Sequence, residues 1–386
     1  MLQLSSPDLS GNESRYLQEC ITSTFVSSAG PFVSRFEEMV AEASGTATSV
    51  AVTSGTCGLH AALTAIGVCP GDLVVLPSYT FIASANAISH CGASPWLLDI
   101  DPKTWTLKTT QLKDVLATET KLMDGRLIHL ASGRRVAAVM PVYSFGQPAD
   151  INALAEVSRF YGLPIVADAA AALGAAYRGR KIAQTGADLT VYSFNGNKTI
   201  TAGGGGAITG SDSDLLRAVR HLTTTAKIGP DYTHDQIGFN YRMTNLQAAV
   251  GCAQMERLDF LVGRRREIRA IYDEGLAGVP GLAPFPNVSW ADSACWISGF
   301  VADDPARADA ARQALLAANF RAVPFWKPMH LQIPYLECLR ADLGVTDDLW
   351  YRIVPLPSAA HLSKDDQQRI ISALCALGLV PSATED

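Results

Sequence analysis

The chain reads as an α/β protein. A large domain with a mostly parallel central sheet sandwiched by helices is followed by a smaller C-terminal α+β domain. Three observations predict this. Short apolar runs without polar alternation mark strands buried on both faces, as in a sheet covered by helices. Segments of helical period separate those runs, which is the alternating order of an α/β domain. Near residue 245 the pattern changes to long helices with few strands.

Residues 49–53 form the first expected strand, and residues 57–67 a helix of small residues after it. A strand at 73–77 and a helix at 81–91 repeat the unit, and 95–100 is a third strand. The strand 136–143 leads to a helix at 150–161. Residues 163–167 and 189–194 are two more strands, and 207–209 a short one. Residues 246–271 read as one long helix, with Leu246, Val250, Met255, Leu258 and Leu261 as its apolar positions. A Pro-rich stretch at 280–286 follows, then helices at 305–319 and 364–379. The long helix is expected to join a domain of residues 1–250 to one of residues 251–386, with a loose tail at 381–386.

Composition narrows the function classes. The 386 residues are 48% hydrophobic and 18% charged, the balance of a globular chain rather than a disordered one. A net charge of -6 argues against a general nucleic-acid or anionic-membrane surface. The run Arg264-Arg265-Arg266 reads as the solvated face of the long helix. The longest apolar runs, such as 136–142, fall far short of the roughly 18–20 residues of a membrane span. Residues 1–11 are polar, without the basic start and apolar stretch of a signal peptide. The eight cysteines (20, 57, 69, 91, 252, 295, 338 and 375) form no C-x-x-C pair, which suits reduced core residues in a cytoplasmic protein. His221, His234 and His330 lack metal-ligand spacing, so no metal site is expected.

Ligands of open α/β sheets bind beyond the carboxyl ends of the strands. The residues after each expected strand are therefore the candidates. Ser54-Gly55-Thr56-Cys57 stands between a strand and a helix, where backbone N–H groups can hold a phosphate and Gly55 lets it approach. Taken alone, the same residues read first as a capped helix start. Neither a P-loop nor a dinucleotide fingerprint is present, which leaves a nicotinamide oxidoreductase without support. Ser78-Tyr79-Thr80-Phe81 adds an aromatic. Asp168 ends an apolar strand before four alanines, so its carboxylate needs a partner, either a helix start or a cationic pyridinium nitrogen. Lys198 follows a buried strand and precedes the run Gly203 to Gly206. A lysine there can be a solvated loop residue or an amine of lowered pKa that attacks carbonyls. The glycines suggest backbone packed close to something bulky.

Taken together these residues resemble the DegT/DnrJ/EryC1/StrS family of nucleotide-sugar aminotransferases, which use pyridoxal phosphate on the fold type I scaffold of the aspartate aminotransferases. The resemblance runs over nearly the whole chain. It includes Leu-Ser-Gly-Asn-Glu at 9–13, Ser-Gly-Thr at 54–56, Pro-Ser-Tyr-Thr-Phe at 77–81 and Gly-Gln-Pro-Ala-Asp at 146–150. Its strongest parts are Tyr-Ser-Phe-Asn-Gly-Asn-Lys at 192–198 and Gly-Phe-Asn-Tyr-Arg-Met-Thr-Asn at 238–245, and Trp-Lys-Pro-Met-His at 326–330 closes it.

The resemblance implies roles. Lys198 is the expected catalytic lysine, which holds pyridoxal phosphate covalently and moves the proton. Asp168 is the expected partner of the pyridine N–H, keeping the ring an electron sink. Phe81 is implied to stack on the ring. The Gly55-Thr56-Cys57 turn and Ser193 are implied to bind the phosphate. Asn240 is implied to reach it from a neighbouring subunit, which makes the expected unit a homodimer with shared active sites. Lys327 and His330 are implied substrate contacts. The chain departs from the family pattern at Ala167, Ala171 and Val323, where many relatives have an acidic residue, a polar residue near the cofactor's phenolic oxygen, and an arginine.

The implied reaction takes an amino group from L-glutamate, with pyridoxamine phosphate as the intermediate cofactor form, and gives it to a nucleotide-linked keto sugar for bacterial glycan or lipopolysaccharide synthesis. The first expectation for the acceptor is a UDP-4-keto-6-deoxy-N-acetylhexosamine aminated at C4. The alternative is GDP-4-keto-6-deoxymannose, the perosamine precursor. A pyridoxal phosphate-holding regulatory or dehydratase-like relative without transamination is kept open by Ala167 and Ala171, whereas lysine at 198 favours transamination.

Overall fold

The computed structural model describes residues 1–378. Seven strands carry the large sheet: β1 (Ser49–Val52), β2 (Leu73–Pro77), β3 (Ser94–Leu98), β4 (Val136–Val139), β5 (Val166–Asp168), β6 (Leu189–Ser193) and β7 (Gly206–Thr209). They lie in the order β3-β2-β4-β5-β6-β7-β1, with β4 and β5 joined by the bridges Val139 to Ile165 and Val142 to Asp168. Every pairing is parallel except those of β7, which runs antiparallel to both β6 and β1. The carboxyl ends of the other six strands therefore open on one edge, where the glycine run enters β7.

Apolar residues alternate between two packed faces. Leu73, Val75, Leu98 and Ala207 face one core, and Val74, Leu76, Leu97 and Ile208 the other. This is why the strand sequences read as continuous apolar runs. The expected strands and intervening helices are present with ends moved by up to four residues: α3 (Gly55–Ala65), α4 (Ile82–His90) and α6 (Ile151–Phe160) lie close to their expected ranges. Not foreseen were α1 (Glu13–Ser23), α2 (Pro31–Ser44), α5 (Thr109–Glu119), α7 (Ser213–Thr223) and the hairpin of Thr120–Met123 with Arg126–His129.

The single long helix expected at 246–271 is two helices, α8 (Asn245–Met255) and α9 (Leu258–Gly275). Tertiary contacts overrule the periodicity. Glu256 accepts hydrogen bonds from Asn12, Tyr16 and Arg35, and Arg257 is held by Asp8 at 3.0 Å, with φ -114 and ψ 13 breaking the helix. The expected division between residues 250 and 251 falls inside α8, whose contacts are with α1 and α2.

Beyond α9, the antiparallel strands β8 (Leu282–Pro284), β9 (Ser298–Ala302) and β10 (Ile353–Leu356) form a smaller sheet in that order. With α9, α10 (Pro305–Ala317) and α12 (Lys364–Gly378) they enclose a separate apolar cluster, including Ile268, Tyr272, Phe300, Leu315, Val354 and Ile370. The short α11 (Gly344–Leu349) precedes β10. The N-terminal residues belong to this part: Leu2 pairs with Asn319 and Arg321, and Leu4 accepts from the Ser358 amide. The expected loose tail at 381–386 lies outside the described residues. Among the described residues no helix is long and apolar enough to cross a membrane.

Candidate active site

A cavity of about 390 Å³ opens on the carboxyl edge of the large sheet. Ser54, Gly55 and Thr56 line it from the β1–α3 turn, Asp168 from the end of β5, and Ser193, Asn195, Asn197 and Lys198 from beyond β6. Phe81, Trp296, Phe325 and Trp326 add an aromatic wall.

The β1–α3 turn is tight for a reason visible in its glycine. A Cβ on Gly55 would stand 2.9 Å from Cβ of Ser193, so only glycine lets the helix start this close to β6. The glycine run meets the same turn, since a Cβ on Gly206 would lie 2.8 Å from the Gly55 nitrogen. The bulky neighbour expected beside the glycines is thus the Ser54–Gly55 backbone. Ser54 caps α3, its Oγ accepting from the Cys57 amide at 3.1 Å. This corrects one expectation: the Cys57 N–H is taken by the cap and Cys57 does not line the cavity. Gly55 and Thr56, in the first turn of the helix, do line it, with amides that have no partner inside the helix.

Asp168 is buried, and its two oxygens are held apart. Oδ2 accepts from Ser84 Oγ at 2.6 Å and Oδ1 from the Ala170 amide at 3.1 Å. Ser84 in turn meets Thr80 Oγ1 at 2.9 Å. Burial pushes the carboxyl up, while Ser84, Ala170 and the charge of Lys198 pull it back. Part of the Lys198 side chain faces solvent, but its ammonium end lies deep, 3.7 Å from the centre of the Trp296 ring. Burial pushes this amine down to about 8, Asp168 opposes the fall, and Arg265 adds to it. Near neutral pH the amine is therefore in part uncharged.

Phe81 stands at the head of α4, 54% exposed, with its ring 6.4 Å from that of Trp326. Asn240 is exposed and does not line the cavity of its own chain. Lys327 is exposed and His330 buried, and neither lines the cavity. The His330 ring is engaged at both nitrogens, by Ser78 Oγ at 2.7 Å and Asp347 Oδ1 at 2.8 Å, which turns it from the expected substrate contact into a packing clamp. Sequence reasoning missed Ser84, Trp296 and Phe325 as site residues. Ser84 had a signal, its helical spacing of four from Thr80, whereas Trp296 and Phe325 arrive from the far side of the fold.

The residues fit pyridoxal phosphate. A side-chain-free turn with first-turn amides and Ser193 suits the phosphate, a buried carboxylate suits a ring N–H, and a desolvated amine suits the aldehyde. Ala171 brings no polar side-chain atom to the wall, whereas Asn195 and Asn197 bring side-chain amides to it beside Lys198.

The model of the DegT/DnrJ/EryC1/StrS aminotransferase family matches residues 7–375. The chain is 36% identical to GDP-perosamine synthase of Caulobacter vibrioides, covering 97% of each chain. It is 33% identical to GDP-perosamine synthase of Vibrio cholerae, covering 97% and 98%. The fold superposes on the crystal structure of DesV from S. venezuelae with a TM-score of 0.87 and 30% identity, covering 96% and 95%.

Proposed function

The chain belongs to the DegT/DnrJ/EryC1/StrS aminotransferase family and is a pyridoxal phosphate-dependent sugar aminotransferase of fold type I, and from that premise we propose that it aminates C4 of GDP-4-keto-6-deoxymannose to give GDP-perosamine. The likeness over 97% of the chain to GDP-perosamine synthases supports this acceptor above the UDP-linked N-acetyl sugar that the sequence motifs put first. L-Glutamate is the proposed donor, a homodimer with Asn240 reaching the neighbouring cavity the proposed unit, and the cytoplasm the proposed location, in keeping with eight free cysteines.

The observation that carries the reading is Lys198 and Asp168 facing one cavity at the carboxyl edge of the sheet. Bound there, pyridoxal phosphate supplies an electrophilic carbonyl and an electron-accepting ring. Gly55, Thr56 and Ser193 would hold its phosphate, and Phe81 would serve as the aromatic for its ring. Asp168, fixed by Ser84 and Ala170, holds the proton on the ring nitrogen. Lys198 Nζ, uncharged in part near pH 8, removes the proton from Cα of glutamate and later delivers one to C4 of the sugar. Trp296, Phe325 and Trp326 exclude water from that transfer.

The test supplies the purified chain, loaded with pyridoxal phosphate, with L-glutamate and either keto sugar, and reads the products by mass spectrometry. GDP-perosamine as the preferred product supports the proposal. Turnover of the UDP-linked sugar alone returns the acceptor to the other expectation. A visible cofactor band that does not change with glutamate removes glutamate as donor.

A further inference from the structure

Arg265 is one of the largest fully buried side chains, 1% exposed, yet it has no carboxylate partner among the described residues. The sequence placed it on a solvated helix face. Instead it points from α9 into the seam between the two sheets, and it meets neutral oxygens only. Nη1 donates to the Trp296 and Ser358 carbonyls, the latter at 2.9 Å, and Nη2 donates to Ser5 Oγ at 3.1 Å and toward the Lys198 carbonyl at 3.5 Å. Its Nε has no partner. Burying a guanidinium without a counter-charge costs more than the neutral hydrogen bonds it makes return. Packing alone is served better by an apolar side chain.

What this cation sits under explains the cost. Ser5 Oγ and Trp296 Nε1 both donate to the Asn197 carbonyl, at 2.7 and 2.6 Å, and the Trp296 ring lies beneath Lys198 Nζ. Arg265 binds both of these residues and the next carbonyl. The loop carrying the lysine is thereby gripped from the N-terminal segment, from α9 and from the approach to β9.

We propose that Arg265 is the positioning residue of the catalytic loop: a buried, unpaired cation that fixes the Asn197–Lys198 backbone through Ser5 and Trp296 and keeps positive charge beneath the lysine. The proposal rests on the reading of Lys198 as the cofactor-binding amine. The charge acts in a definite sense. A cation below the lysine disfavours a second one, so Lys198 sheds its proton more readily, in the direction opposite to the pull of Asp168. Burial pushes Arg265 itself down to about 10, so it stays charged where Lys198 titrates. The other titratable group on the cavity wall is Tyr143, whose hydroxyl burial keeps protonated.

The test follows Lys198 in the cofactor-free chain by competitive acetic anhydride labelling across pH, quantified on its peptide by mass spectrometry. Arg265→Gln keeps donors for the carbonyls and removes the charge, and should move the labelling midpoint up by about 0.5–1 unit, a threefold to tenfold loss of uncharged amine below it. Arg265→Lys should leave the midpoint in place. Trp296→Phe keeps a ring beneath Nζ but loses the donor to Asn197, and should slow covalent capture of pyridoxal phosphate several-fold. A folded Arg265→Gln chain with an unmoved midpoint overturns the proposal. Should that variant not fold, capture at the undiminished rate by Trp296→Phe overturns it on its own. Covalent capture by Lys198→Ala would instead overturn the underlying reading, because the labelling midpoints of the Arg265 variants do not depend on it.

Discussion

The two edges of the large sheet treat charge in opposite ways. At the amino edge, Asp72 before β2 and Arg135 before β4 form a two-pronged pair, at 3.0 and 2.5 Å, and Arg134 caps the Gly71 and Asp72 carbonyls. The Asp72 and Arg135 charges there neutralise each other. At the carboxyl edge, Asp168 bonds to Ser84 and Ala170, Lys198 lies over an aromatic ring, and Arg265 meets carbonyls and a hydroxyl. No salt bridge joins these three among the described residues. Charges left unpaired in a buried place cost stability, and they persist where chemistry needs groups able to change their protonation. One edge is built to hold, the other to react.

The contrast can be broken at its reactive end first. Lys198→Ala should reduce transamination by about 10³-fold or more and abolish covalent cofactor capture in a folded chain, read by turnover and visible absorption. Asp168→Asn should cut kcat by about 10²-fold while cofactor affinity falls far less, because the neutral amide cannot hold the ring nitrogen's proton. Near-wild-type kcat in that variant would show that the ring needs no anion.

The cost of the reactive edge is itself measurable. Lys198 has a folded pKa of about 8 against an ordinary 10.5. Between those values the unfolded chain binds more protons than the folded one, so stability gains with rising pH. The cofactor-free Lys198→Met variant should therefore be more stable than the wild type below pH 8, by on the order of 3 kcal/mol. The gap should close by about pH 10.5, as followed by urea unfolding across pH. A gap that does not change with pH would mean that the amine carries no penalty. Asp72→Ala is the converse test at the amino edge. It should lower stability by about 1–3 kcal/mol and leave kcat unchanged, because its pair is structural.

Local signals and long-range contacts account for what could be read before the fold was seen. The strands were legible because both faces of each are covered, and Lys198 and Asp168 were legible because they directly follow or end such strands. The break between α8 and α9 was not, since the apolar stripe runs on through it and Asp8 and Asn12 cause it from the other end of the chain. Arg265 was misread for the same reason: three consecutive arginines look solvated until the seam that buries the middle one is known. Cys57 failed differently. Its amide lay in the right turn, but the neighbouring serine claimed it.

Residues 2–5 run along the seam where the smaller sheet meets the larger, tied to Asn319, Arg321, Ser358 and the lysine loop. This has a consequence during synthesis. Leu2 and Leu4 pair with residues more than 300 positions further along the chain, so they take their places only after Asn319, Arg321 and Ser358 have been made. A growing chain that already contains Lys198 and Asp168 still lacks the braces that fix its amine. Those braces need Arg265 and Trp296, and a chain cut short before Ser358 leaves Leu4 and one Arg265 hydrogen bond without their partner.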